Sequence, residues 1–192
     1  MRKIVAGLFT SLDGVVESPE TWQTPYFNEE MTAEIGRQMA QADTLLLGRR
    51  TYQEFAAFWP QQGTAGPGGF MNTVPKLVVS ETLGELEWQN SSLVEGGVVE
   101  ELTRLKQQPG KNILVSGSIT LVGSLLRHRL LDELGLMVCP VLVGSGRRLF
   151  EDGGQHLPLT LVESATFRNG VLATLYRPVG ESGRPLTSEA AT

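Results

Sequence analysis

Three segments of this 192-residue chain end an apolar run on glycine and follow it at once with anion-binding groups. In LLLGRRTY, 45–52, Gly48 precedes Arg49, Arg50 and Thr51. In ILVSGSITLV, 113–122, Gly117, Ser118 and Ile119 follow the run, and in VLVGSGRRLF, 141–150, Val143 and Gly144 lead to Arg147 and Arg148. The chemistry these patterns suit is phosphate binding. Glycine lets the backbone come close, a helix that starts there leaves N–H groups unpaired, and arginine grips phosphate with two parallel N–H groups. Each segment alone also reads as an ordinary turn, with Ser118 as a helix cap. Together they suit a ligand with several phosphates, such as a dinucleotide. Gly144-Ser145-Gly146 is a poor dinucleotide fingerprint by itself, because it lacks the third glycine and lies far from a first strand–helix turn. A fourth segment, TSLDGVVES at 10–18, contains Asp13-Gly14. It reads either as a plain turn or as a turn that sets a carboxylate beside the same ligand.

Other chemistries lack their residues. There is no Walker A run and no G-x-S-x-G nucleophile elbow. His128 and His156 lack metal-ligand spacing and have no cysteine cluster to join, so no metal is expected. His128, between two arginines late in a helix, reads as a C-terminal cation. Cys139, inside LGLMVCPVLVG, reads as a small core hydrophobe and cannot form an internal disulfide. The net charge of −5 argues against a nucleic-acid or membrane-surface partner. The first apolar stretch is broken by Asp13, too early for a secretory signal, so a cytoplasmic location is expected.

The elements that must position these groups follow from apolar periodicity. Strands are expected at 3–9, 43–48, 76–80, 112–116 and 132–143, and a hairpin at 159–168 and 171–177 around Asn169-Gly170. Helices are expected from Thr24-Pro25, with Thr24 as cap and Met31, Ile35 and Met39 on one face, and over 49–58, 96–107 and from Gly117-Ser118 onward. Residues 10–25 and the Gly-rich 61–73 read as loops. The alternation predicts one α/β domain, 1–178, with a mostly parallel central sheet and a C-terminal antiparallel hairpin; 179–192 is expected to be a disordered tail. Open sheets of this kind bind ligands beyond the C-terminal ends of their strands, where all four segments fall.

The motifs SLDG at 11–14, DTLLLGRRTY at 43–52, PKLVVS at 75–80, ILVSGS at 113–118 and LLDELGLMVCPVLVGSGRRLF at 130–150 carry a family likeness over residues 3–177. The chain resembles the dihydrofolate reductase-like superfamily. It is most similar to the C-terminal reductase domain of the bifunctional riboflavin-biosynthesis deaminase/reductase and its stand-alone relatives. The resemblance implies a three-layer α/β fold, a homodimer and NADPH as cofactor. It places Gly48, Arg49, Arg50 and Thr51 on the phosphates, Ser80 by the adenosine, and Gly117, Ser118 and Ile119 on the pyrophosphate. It places Asp13 and Gly14 near substrate and nicotinamide, with Val143 and Gly144 beside the cofactor. Trp22 either lines the substrate pocket or closes the loop over the core. The implied activity is NADPH-dependent reduction of a small heterocycle of the pterin or flavin-precursor type, like a 5-amino-6-(5-phosphoribosylamino)uracil reductase, or of a carbonyl. The alternative is a non-catalytic nucleotide-binding protein on the same scaffold. The zinc deaminase half is missing, with no H-x-E and no P-C-x-x-C. No catalytic residue is assigned: Glu29 and Glu30 are the nearest candidates for a proton donor by position, yet an acidic pair at a helix start is already explained by the helix dipole.

Overall fold

A computed structural model describes residues 1–150 and 156–180. Eight strands form one sheet: β1 (Ile4–Ser11), β2 (Ala42–Gly48), β3 (Lys76–Val79), β4 (Ser91–Leu93), β5 (Asn112–Ser116), β6 (Glu133–Cys139), β7 (Leu159–Thr166) and β8 (Leu172–Pro178). Their order is β4-β3-β2-β5-β1-β6-β8-β7. All pairings from β4 to β6 are parallel, and β8 is antiparallel to both β6 and β7. The expected architecture is therefore present, and β1, β2, β3, β5 and β6 end on one edge.

Helices α1 (Glu29–Ala40), α2 (Arg49–Phe58), α3 (Gly66–Thr73), α4 (Val98–Lys106) and α5 (Ile119–Arg127) cover both faces. Successive residues of a strand point to opposite faces. Leu46, Ile113 and Val115 accordingly pack with Leu102 of α4 and Leu121, Val122 and Leu125 of α5, while Leu45, Leu47 and Leu114 pack on the other face with Tyr52 and Met71. The unbroken apolar run of β2 is what a parallel strand buried on both faces requires. Cys139 is fully buried beside Met31 and Met137, and burial pushes its thiol up to about 11, as fits a core hydrophobe.

Three expectations are corrected and one strand is added. Thr24-Pro25 makes only a short 3₁₀ turn, Thr24–Tyr26, and α1 begins at Glu29. Asn28 is the cap, its side chain accepting from Met31 N at 3.0 Å, which satisfies an amide that Thr24 does not reach. The Gly-rich 61–73 segment is not all loop, since it contains α3. The expected strand at 132–143 ends at Cys139. Finally, β4, three residues long, carries too little pattern to be read from sequence. The hairpin is as expected: Gly170 (φ 83°) sits in its turn, and Asn169 Oδ1 accepts from Val171 N at 3.1 Å. Val179 N still donates to Pro158 O at 2.9 Å; the expectation of disorder beyond that falls on 181–192, outside the described residues.

The α3 segment is held from outside. Asn72 is buried, and its amide nitrogen donates to the carbonyls of Trp59 and Gly63, each at 2.9 Å, while its oxygen accepts from Trp88 Nε1 at 2.9 Å. Next to it lies Lys76, fully buried, donating to the carbonyls of Val74 and Gln89 and standing 4.4 Å over the Trp88 ring. Burial pushes this amine down to about 8, and the carbonyls and ring face are what compensate its charge.

Candidate functional site at the strand ends

The two strand-to-helix turns of β2–α2 and β5–α5 are tied to each other. Ser118 Oγ accepts from Gly48 N at 2.7 Å. Ser118 stands at the N-terminus of α5 but makes no side-chain cap there, and Gly48 before α2 has no side chain to give one. The first-turn amides of both helices are thus left for solvent or a ligand. The approach is close: a Cβ on Gly48 would lie 3.2 Å from Ser118 Oγ, and one on Gly117 would lie 3.0 Å from Thr51 Cγ2. Gly117 (φ 72°) and Ser118 (φ 62°, ψ 61°) are both left-handed. For serine this conformation costs on the order of 1 kcal/mol, a strain that recurs at ligand sites.

These small, uncapped turns form a cradle that a Cβ would fill, and the exposed Arg49 and Arg50 flank it. Among the described residues no ion pair involves Arg49. Arg50 Nη1 lies 3.7 Å from Glu17 Oε1, and its Nε lies 3.8 Å from Glu54 Oε1. Thr51 is buried against Gly117, and Ile119 is partly buried against the core. Ser80 is engaged in its own turn after β3, its hydroxyl accepting from Thr82 N at 3.2 Å and Leu83 N at 3.0 Å.

Across the edge, the loops after β1 and β6 are clasped by Asp13. Its carboxylate accepts from Ser11 Oγ at 2.6 Å, Val143 N at 3.1 Å and Gly144 N at 2.8 Å. The serine hydroxyl, then the two amides, hold this carboxyl down to about 2. Held low in this way, Asp13 is an anion near neutral pH and is poorly suited to donate a proton. Gly14 (φ 84°) turns the chain behind it, so that 14–17 runs antiparallel to 146–149 through the Val15–Arg148 bridge. Arg148 Nε donates to Asp13 O at 2.9 Å, and Arg147 donates to Thr120 Oγ1 in the first turn of α5 at 3.2 Å.

Four of the sequence-derived segments thus meet on one edge, while two candidates have other roles. Trp22 packs against the cluster of Met31, Met137 and Cys139 and donates Nε1 to Glu17 O at 3.1 Å, which is the loop-closing alternative. Glu30 accepts from Arg168 N at 2.8 Å and ties α1 to the β7–β8 turn, whereas Glu29 is exposed. Sequence reasoning missed Glu17, whose Oε2 accepts from Arg147 N at 3.1 Å, and Thr120. Both are ordinary polar residues whose partners are distant in sequence.

Two hollows lie away from this edge: one of about 50 Å³ between α1 and strands β6, β7 and β8, and an open apolar groove of about 390 Å³ between α1 and α3. Neither is lined by the strand-end residues. Among the described residues no cluster of three His, Cys, Asp or Glu could hold a metal, and no helix is long and apolar enough to cross a membrane.

The family model for the RibD C-terminal domain matches residues 2–173. The chain is 27% identical over 190 residues to the uncharacterized protein YyaP of Bacillus subtilis (strain 168), covering 91% of this chain and 94% of that protein. Its fold is similar to a putative riboflavin biosynthesis protein from Shewanella sp. PV-4, with a TM-score of 0.71 at 24% identity, covering 93% of this chain and 99% of the other. It is also similar to a diaminohydroxyphosphoribosylaminopyrimidine deaminase/5-amino-6-(5-phosphoribosylamino)uracil reductase from Thermotoga maritima, with a TM-score of 0.65 at 16% identity, covering 92% of this chain and 57% of that protein.

Proposed function

The chain belongs to the RibD C-terminal domain family, and from that premise we propose that it is an NADPH-dependent reductase of a small heterocycle of the pterin or flavin-precursor type, or of a carbonyl. The observation that carries the reading is the joined pair of uncapped turns, with Ser118 Oγ on Gly48 N and exposed arginines beside them. Gly48, Thr51, Gly117, Ser118 and Ile119 would hold the phosphates by backbone and hydroxyl groups, with Arg49 and Arg50 as counter-charges. Bound NADPH supplies the hydride, so the chain needs no nucleophile of its own. What the chain supplies is position: Asp13 holds the loops after β1 and β6 in register around the reacting end. With Asp13 ionised, the proton that accompanies the hydride has to come from another group or from water.

Titration with NADPH and NADH, followed by nicotinamide fluorescence, tests the cofactor. No binding of either at high micromolar concentration removes the proposal. Binding without oxidation across pterin, flavin-precursor and carbonyl panels supports the non-catalytic alternative. Arg49→Ala is expected to weaken NADPH by about tenfold and NADH much less, because a charged hydrogen bond to the 2′-phosphate is lost only from the former. Equal losses count against that contact.

The family likeness also suggests a homodimer. In support, β7 is an edge strand exposed along seven of its eight residues, with Leu161 51% and Val162 41% exposed. Such an edge is usually covered or paired. Light scattering at micromolar concentration is expected to return twice the 20.9 kDa chain mass. A monomer mass at every concentration contradicts the dimer.

A further inference from the structure

Glu17 lies where three anion-compatible segments converge. One of its carboxylate oxygens faces Arg50 of α2 at 3.7 Å, and the other accepts from the Arg147 amide at 3.1 Å. The Arg147 side chain in turn reaches Thr120 in the first turn of α5. A carboxylate thus occupies ground that the surrounding groups equip for an anion. The Arg50 side chain is 72% exposed and that of Glu17 34%, so the pair is solvent-facing and can separate without unfolding anything.

We propose that Glu17 is an internal competitor for the anion site: it sets the affinity for phosphate-bearing ligands by neutralising Arg50 until the ligand displaces it. This rests on the cofactor reading above for the identity of the physiological ligand, and on geometry alone for the competition. An exposed pair of this kind is weak, so its displacement costs little and the effect is a tuning of affinity. Glu17→Gln separates competition from scaffolding, because the amide oxygen still accepts from the Arg147 amide while the charge is gone. Glu54→Gln is the matched control, since it removes one charge from the other carboxylate beside Arg50, one turn along α2.

Dissociation constants for NADPH and, separately, for inorganic pyrophosphate are measured at fixed ionic strength in the natural chain and both variants. Glu17→Gln is expected to bind both ligands about threefold more tightly, and Glu54→Gln to change either by less than about 1.5-fold. Raising salt should shrink the Glu17→Gln gain, because screening removes the competition it relieves. Weaker or unchanged binding in Glu17→Gln, or an equal gain in Glu54→Gln, overturns the role of Glu17. If NADPH binds no variant but pyrophosphate shows the Glu17-specific gain, the cofactor reading fails and the competition stands. If NADPH binds and no such gain occurs, the reverse holds. Failure of both ligands to bind any variant overturns both.

Discussion

Replacing Asp13 with alanine is expected to lower kcat/KM by about a hundredfold while the chain remains folded, the scale of loss that follows when a reacting group is misplaced by about 1 Å. The carboxylate accepts from Ser11 Oγ, Val143 N and Gly144 N, and among the described residues the last two bonds are what join the loop after β1 to residues 143–144. Alanine leaves both amides without that acceptor and loosens residues 143–144, while Arg147 and Arg148 stay tied to 14–17 through the Val15–Arg148 bridge. Circular dichroism and a thermal scan check that the sheet is retained, and steady-state kinetics with any substrate identified by NADPH oxidation read the loss. Unchanged kcat/KM would show that the clasp does not position the reacting end.

The pH dependence has a definite sign. The carboxyl titrates at about 2 in the fold, against an ordinary value of 3.8. A depressed carboxyl contributes its full stabilisation above the unfolded value and loses it as pH falls through the folded one. The clasp is therefore intact above about pH 4 and released near pH 2. An acid limb of the rate profile with a midpoint between pH 5 and 7, roughly, belongs to a group other than Asp13.

The second large effect is on stability. Asn72→Ala is expected to cost about 3 kcal/mol, because it strands the buried Trp88 indole N–H, takes the donor from two partly exposed carbonyls and leaves a small void. For a chain of this size that lowers Tm by about 9 °C. The loss should be local in origin: amides of α3 should exchange faster than those of β2 or β5, since Asn72 joins α3 to Trp59, Gly63 and Trp88. Urea unfolding measures the total, and native-state hydrogen exchange measures its distribution. A variant within about 0.5 kcal/mol of the natural chain would mean that water replaces the amide at all three contacts.

Much of the fold was legible because its signals are local. LLLG at 45–48 is a buried strand closed by glycine whatever surrounds it, and Asn169-Gly170 makes its hairpin turn within four residues. The four strand-end segments were legible for the same reason, each being read together with the residues just after it. What failed were places where distant partners outweigh local preference. Thr24-Pro25 looks like a helix start, yet Asn28, with its own bond to Met31 N, starts α1. Three glycines within Gly66–Thr73 argue against a helix at a cost of about 1 kcal/mol each, and the Asn72 network offsets them.

The amino-acid sequence by itself determined seven of the eight strands, the order of the anion-compatible turns and the family likeness, because these depend on residue types within a few positions of one another. Only the tertiary structure decided what each polar group does. It directed the Ser118 hydroxyl to Gly48, 70 positions away, instead of to its own helix. It put the Asp13 carboxylate on the amides of Val143 and Gly144, 130 and 131 positions away, and it set the unremarkable Glu17 against Arg50 and Arg147. The physical reason is that hydrogen bonds and charge pairs act over a few ångströms, and which residues come that close is set by sheet order and register. Residue spacing along the chain does not contain either.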